Sequence, residues 1–155
     1  MLVSQDMLAL TSQSFPVRAA IVAGCIIGGG GQYGTLDFGI HSGVATADVN
    51  AAFVPNGSLS IACTPGVTLN MQIDGGQHYT TVRRMIRGGG AQSVSYRLYR
   101  SSTTTAANEI TVGQTVAISA GNGNNILLPI YGVAQLTGNS PAGGYSDRLT
   151  VTLSW

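Results

Sequence analysis

Charge is the scarcest property of this sequence. The 155 residues include no lysine, and charged residues make up 8% of the chain, whereas they are roughly a quarter of an average soluble domain. The formal net charge is +1, so no global electrostatic field attracts nucleic acid or an anionic membrane. No apolar run of about 18 residues is present, which excludes a membrane-spanning helix. Few charged groups remain to keep one copy of the chain apart from another.

Residues suited to catalysis or metal binding are also few and scattered. The two histidines, His41 and His78, have no ligand partner two or four positions away. The glycines at 28–31 precede a strand-like stretch, whereas a phosphate-binding loop needs a helix N-terminus after it. Four acidic residues stand singly beside turns or strand edges, where capping accounts for them: Asp37, Asp48, Asp74 and Asp147. We therefore predict that the protein is not an enzyme and holds no metal and no cofactor.

One cluster of basic residues is present. Arg83, Arg84 and Arg87 precede three consecutive glycines. Affinity for nucleic acid rests on many phosphate contacts, and three arginines in a nearly neutral protein supply few. We interpret the cluster as a solvated strand edge or a subunit contact, and we expect no nucleic-acid partner.

The hydrophobic pattern has a period of two almost throughout, which is typical of strands with one buried face. Turn-forming residues separate the strand-like stretches, and Asp74-Gly75-Gly76 is predicted to form a tight hairpin turn after residue 73. Short strands at this spacing favour a single β-sandwich domain. The predicted strands are residues 15–25, 34–38, 45–53, 58–63, 68–73, 93–100, 115–119, 125–133 and 146–155.

The two cysteines, Cys25 and Cys63, each end a predicted strand. A single pair of cysteines in a small β-rich chain favours a disulfide, which indicates an oxidising compartment. The alternative is two buried free thiols in a cytosolic protein. No secretion signal is recognisable at the N-terminus, so if the protein is exported we expect the numbering to begin after processing.

Both ends of the sequence have the pattern of strands that pair between molecules. An apolar stretch, residues 1–10, precedes the first predicted strand. At the other end, polar residues alternate with Leu149, Val151, Leu153 and Trp155. A spare strand and an unpaired edge both favour pairing with a neighbouring chain.

An ordered set of short stretches between residue 15 and the C-terminus resembles a known family. They read AGC at 23–25, YGTLDFG at 33–39, LSIAC at 59–63, IDGG at 73–76, VSYRLYR at 94–100, LPIYG at 128–132 and GYSDRLTVTL at 144–153. In this order and spacing they resemble the spore coat protein U domain found in archaic (Csu-type) chaperone–usher pilins. The ordered set, rather than any single motif, carries the resemblance.

The resemblance implies an all-β fold, an incomplete immunoglobulin-like β-sandwich that a donor strand from a neighbouring subunit completes. It also implies a disulfide between the first strand and Cys63. The expected function is a structural pilus subunit for surface attachment and biofilm formation, exported through the periplasm to the cell surface. The expected partners are neighbouring pilus subunits, a periplasmic chaperone and an outer-membrane usher.

These expectations divide the chain into a donor-strand arm, residues 1–14, and a β-sandwich domain, residues 15–155. The edge of the acceptor groove is predicted to include Leu149, Val151, Leu153 and Trp155. The arm residues predicted to enter the groove are Leu2, Met7, Leu8 and Leu10. Met7 lies on the opposite strand face from the three leucines, and we favour the leucine face because it has more apolar volume. The alternative is that residues 1–10 pair with their own domain.

Two other functions remain open. A spore or cell-envelope coat protein would share the same domain. A carbohydrate-binding adhesin module would present clustered aromatic side chains on its surface, but Tyr33, Tyr79 and Tyr145 are far apart in the sequence.

Overall fold

The computed structural model describes residues 11–29, 31–119 and 125–155, which form strands, loops and one short 3-10 turn at Ala106–Asn108. No helix in these residues is long and apolar enough to cross a membrane. The strands are β1 (Cys25–Gly28), β2 (Gly34–Leu36), β3 (Asp48–Pro55), β4 (Ser60–Cys63), β5 (Thr68–Ile73), β6 (Arg83–Arg87), β7 (Ser93–Tyr99), β8 (Val116–Ser119), β9 (Tyr131–Gln135), β10 (Tyr145–Ser146) and β11 (Val151–Ser154).

Antiparallel sheets form the layers of a β-sandwich. The largest has the order β10-β6-β7-β9-β3-β2, a second has the order β11-β5-β8, and β1 pairs with β4. Their inward-facing side chains meet in one hydrophobic core. Leu69, Met71 and Leu98 are completely buried there. The predicted all-β sandwich is therefore confirmed.

Alternation explains why the central strands form where they do. In β5 the side chains of Leu69, Met71 and Ile73 are buried, while those of Thr68 and Gln72 are exposed. Residues at every second position of a strand share one face, so this sequence covers the core with one face and meets water with the other. The predicted bounds of β5 match the structure.

The first predicted strand is wrong over most of its length. The strand begins at Cys25 rather than at residue 15, and residues 11–24 form no strand. The apolar alternation in residues 15–23 is real, but it has no sheet neighbour in the part of the chain that the structure describes.

The predicted hairpin after residue 73 is also wrong. Asp74 forms a tight turn, because its Oδ1 accepts a hydrogen bond from the backbone N–H of Gly76 at 3.1 Å. The chain then crosses to the other layer, where β6 pairs with β7 and β10 instead of with β5. Strand β6 was not among the predicted strands, because its arginines concealed the strand pattern.

Two further boundaries differ from the prediction. The strand expected at residues 125–133 lies at Tyr131–Gln135. The long C-terminal strand divides into β10 and β11, because hydrogen bonds to aspartate carboxylates hold the intervening residues 147–150.

Candidate functional site: an apolar groove beside two free strand edges

Two of the strands that have a sheet neighbour on one side only within the described residues, β1 and β11, lie close to each other. Strand β1 pairs with β4, and β11 pairs with β5. The side chain of Trp155, just after β11, lies beside Gly24, just before β1: its Nε1 is 3.5 Å from the position that a Cβ on Gly24 would occupy. The end of β11 is therefore close to the start of β1, although no hydrogen bonds join the two strands.

An open groove of about 730 Å³ extends from β1 to the residues that lead into β11. Side chains that pack against the core line it and remain partly exposed. A folded domain usually covers such apolar surface, because each buried side chain of this size stabilises the fold by about 1.5–3 kcal/mol. The apolar lining residues include Ile27, Leu36, Phe38, Phe53, Met85, Leu149 and Val151.

Four residues were predicted to form the edge of this groove, and the structure brings two of them to it. Leu149 and Val151 belong to the lining. Leu153 lies opposite Met71 in the β11–β5 pair and packs against the core instead. Trp155 is 56% exposed and also lies outside the lining. The groove borders the beginning of β11 rather than its whole length.

Sequence reasoning missed most of the lining. Leu36 and Phe53 each lie in a predicted strand, whereas Ile27 follows the end of the predicted strand at residues 15–25. Alternation identifies the inward face of a strand, but it does not indicate which inward-facing side chains border a gap between strands. That information depends on sheet order, which is a property of the whole fold.

A hydrogen-bonded cluster of aspartates fixes the residues that lead into β11. Asp147 Oδ1 accepts from the backbone N–H of Gln77 at 2.9 Å, and its Oδ2 accepts from the hydroxyl of Tyr96. Asp74 Oδ1 accepts from the backbone N–H of Thr150 at 2.9 Å. Burial and the hydrogen bond to Asp147 raise the pKa of Tyr96 well above its ordinary value, so this hydroxyl keeps its proton as a donor.

Arg83 is the buried cation of the sandwich. It is 4% exposed, and burial lowers the pKa of its guanidinium group. Its side chain donates to the carbonyl oxygens of Asp74 at 2.9 Å, Ile110 at 2.7 Å and Ile73 at 3.2 Å. The prediction of a solvated edge is wrong for this residue, because Arg83 binds strand-end carbonyl groups across the sandwich.

The other two arginines of the cluster also donate to backbone carbonyl groups. Arg84 Nε donates to His78 at 2.9 Å, and Arg87 Nε donates to Ala142 at 2.7 Å. The three arginines thus donate hydrogen bonds to carbonyl groups in three loops of the domain. The described residues contain no group of three or more histidine, cysteine, aspartate or glutamate side chains that could hold a metal ion.

A disulfide joins the first strand to its neighbour. Cys25 and Cys63 are bonded with an S–S distance of 2.02 Å, and they face each other in the β1–β4 register. Strand β1 is short and pairs only with β4 among the described residues, so this bond anchors one side of the groove to the core.

The residues before β1 have the pattern of a strand but no partner strand in the described part of the chain. Residues 11–23, here called the N-terminal segment, are exposed throughout, and no backbone hydrogen bond joins them to the rest of the described chain. Phe15, Val17 and Ile21, at alternating positions, are 79%, 87% and 92% exposed. The predicted arm residues Leu2, Met7, Leu8 and Leu10 lie outside the described residues.

Comparison with known proteins adds three findings. The sequence profile of the Spore Coat Protein U domain matches residues 11–152. The chain is 29% identical to "Protein U" of Myxococcus xanthus over 158 residues, which cover 95% of this chain and 86% of that protein.

The third finding is structural. The fold resembles the crystal structure of the CsuC–CsuE chaperone–tip adhesion subunit pre-assembly complex from archaic chaperone–usher Csu pili of Acinetobacter baumannii, with a TM-score of 0.52 and 14% identity. The likeness covers 87% of this chain but 40% of the matched chain, and at this identity it concerns the fold.

Proposed function

Because the chain belongs to the spore coat protein U domain family, we propose that it is a structural pilus subunit that polymerises by donor-strand complementation. In this proposal a strand from one copy fills the groove of the next and pairs with the free edges of β1 and β11. The observation that supports the proposal is the coexistence, among the residues that the structure describes, of an open apolar groove and an apolar segment without a sheet neighbour.

The donor strand is assigned to the N-terminal part of the chain, where two stretches have the required pattern. The exposed alternation of Phe15, Val17 and Ile21 favours the N-terminal segment as the part that enters the groove. Residues 1–10, with Leu2, Leu8 and Leu10 on one face and Met7 on the other, are the second candidate stretch. Under this assignment the domain that receives the strand begins at Gly24 rather than at residue 15.

The cellular setting follows from the same proposal. A subunit with an open groove exposes apolar surface until a partner covers it, which is a hazard for aggregation. A periplasmic chaperone would cover the groove first and an outer-membrane usher would direct assembly, after which the subunit would form part of a surface fibre used for attachment and biofilm formation. The disulfide fits this oxidising route.

A pair of neighbouring substitutions tests the donor strand. Ile21→Asp places a carboxylate on the face that enters the groove, whereas Val22→Asp places one on the opposite face. Both side chains are more than four-fifths exposed in the subunit, at 92% and 82%, so neither change should disturb the fold. We expect Ile21→Asp to abolish fibres in electron micrographs and Val22→Asp to retain them, because an unpaired charge is costly in an apolar groove.

Deletions separate the two candidate stretches. A chain without residues 1–10 should still polymerise, whereas a chain without residues 1–23 should remain folded but unassembled. Loss of fibres on removal of residues 1–10, with Ile21→Asp fibres intact, would assign the donor strand to the leucine face instead. Normal fibres from the chain without residues 1–23 would contradict the whole proposal.

The family's description favours a second candidate, a coat protein of the spore or cell envelope. The same complementation would then build a layer rather than a fibre, and the shape of the assembled polymer in electron micrographs distinguishes the two. A carbohydrate-binding adhesin has no comparable support, because the three candidate tyrosines do not form one surface cluster. Tyr33 and Tyr145 line the groove, whereas Tyr79 does not.

A further inference from the structure

Gly24, the residue that follows the N-terminal segment, is hydrogen-bonded to Thr64 through both its N–H and its carbonyl group. The N–H of Gly24 donates to Thr64 Oγ1 at 3.2 Å. The carbonyl oxygen of Gly24 accepts from the N–H of Thr64 at 2.8 Å and from its hydroxyl at 3.2 Å. These bonds continue the β1–β4 ladder one residue beyond Cys25, so Gly24 is held in line with β1.

This position decides where the segment can go. The groove lies beside β1, so the segment could enter the groove of its own domain only by reversing direction next to Cys25. The tightest reversal is a two-residue hairpin loop, and the favoured types need a positive φ at one or both loop residues. A type II′ loop needs positive φ at its first residue, and a loop that begins at Gly24 supplies glycine there. A Val22-Ala23 or Ala23-Gly24 loop would instead force φ > 0 on valine or alanine.

Gly24 is therefore the residue that a fold-back would use, and it is not among the glycines with positive φ. Adopting a turn at this position would break the bonds to Thr64. The side chain of Thr64 supplies two of those three bonds, which makes it the part of the clamp that a substitution can remove.

We propose that Thr64 is a positioning residue that directs the N-terminal segment away from its own groove, so that the groove is filled by a second copy of this chain. The inference rests on the proposed function, because it assumes that the segment is the donor strand. It adds the reason why complementation takes place between copies rather than within one.

The test compares Thr64→Val with Thr64→Ser in the full chain, refolded by dilution with the disulfide intact. Valine has nearly the same shape but lacks the hydroxyl, and serine keeps it. Size-exclusion chromatography with light scattering measures the fraction of folded monomer at two protein concentrations. We expect Thr64→Val to raise the ratio of folded monomer to polymer roughly twenty-five-fold, because losing one neutral hydrogen bond changes an equilibrium constant about fivefold and this change removes two. Thr64→Ser should resemble the unsubstituted protein.

A fold-back monomer has a property that simple destabilisation lacks: its groove is filled from within, so its midpoint of thermal unfolding should lie above that of the chain without residues 1–23. Adding Gly24→Ala to Thr64→Val supplies a further check, because alanine disfavours the positive φ of the turn and its Cβ would meet the indole of Trp155 at an ordinary 3.5 Å. We expect the double variant to return to intermolecular assembly.

Two results would overturn the inference. One is an unchanged monomer fraction in Thr64→Val, and the other is a loss of folded protein without any monomer of raised thermal stability. If the chain without residues 1–23 still forms fibres, the proposed function fails first. If only the Thr64 variants are unaffected, the proposed function stands and the inference about Thr64 alone is wrong.

Discussion

At the scale of single residues, the charged side chain of Arg83 donates hydrogen bonds to backbone carbonyl groups. Arg83 reaches from β6 to the end of β5 and to Ile110, and it donates to three carbonyl groups, two of them through buried hydrogen bonds. A buried arginine is retained when each of its donors has an acceptor, because the desolvation cost of the charge is then offset by charge-assisted hydrogen bonds. Removing it would leave the carbonyl oxygen of Ile110 without its donor, whereas that of Ile73 would still accept from the N–H of Gly113 at 3.0 Å.

We expect Arg83→Met to lower the free energy of unfolding by roughly 3 kcal/mol, because the change removes three hydrogen bonds from a charged donor and leaves the buried carbonyl oxygen of Ile110 unpaired. Arg84→Met is the matched control, since Arg84 makes one such bond, to His78, and it should cost about 1 kcal/mol. Guanidinium unfolding of both variants with the disulfide intact gives the comparison. Equal stability of the two would show that the contacts of Arg83 contribute no more than an ordinary surface arginine.

At the scale of elements, the sequence predicts most strands but not all of their partners. Strand β5 could be predicted to the residue because its alternation is strict and its ends are marked by turn residues. Residues 15–23 alternate just as clearly, yet they form no strand. The physical reason is that alternation describes the faces of a strand, whereas pairing depends on which backbone lies next to it, and that backbone can belong to another molecule.

Strand β6 shows the opposite failure. Its sequence contains three arginines, and the charges suggested a solvated edge, but Arg83 is buried and its strand lies inside the largest sheet. The candidate site was likewise only half predictable. Leu149 and Val151 could be identified from the C-terminal pattern, whereas the contribution of Phe53 required the order of strands in the other layer.

Strand β1 depends on the disulfide more than on its ladder, because four residue pairs join it to β4. We expect the double substitution Cys25→Ala and Cys63→Ala to lower the free energy of unfolding by about 4 kcal/mol in the loop-entropy description. It should also weaken polymerisation, since β1 forms one side of the groove. Guanidinium unfolding and sedimentation of the polymer measure the two effects.

Reduction of the unsubstituted protein provides the control for that experiment, and it should reproduce both effects. Alkylation of the native protein without reductant should add no mass, because both sulfur atoms are bonded. A double variant that unfolds and polymerises like the parent protein would contradict the structural role assigned to this bond.

At the scale of the whole molecule, the groove and the N-terminal segment are two different surfaces of one chain. A contact between different surfaces of identical copies does not close on itself unless its rotation forms a ring, so it generates an open filament by default. The low charge of the chain, 8% of residues, leaves little electrostatic repulsion between neighbouring subunits. Polymerisation should therefore stop when the groove is filled from within the same molecule.

That expectation can be tested by moving the donor strand to the other end of the chain. Residues 11–22 are removed from the N-terminus together with residues 1–10 and joined through a flexible linker to Trp155, so that they can fold back beside the free edge of β11. We expect a folded monomer that does not polymerise. Its midpoint of thermal unfolding should lie at least about 5 °C above that of the same chain without the appended residues, because Phe15, Val17 and Ile21 become buried.

The matched control carries Asp in place of Ile21 within the appended stretch. This change should remove the gain in thermal stability while leaving the chain monomeric, because the charge prevents insertion and no free N-terminal donor remains. The decisive comparison is between the two appended chains, since they differ by one side chain and share the same linker. Equal midpoints would mean that the segment does not enter the groove, and the proposed fibre would then need another contact between subunits.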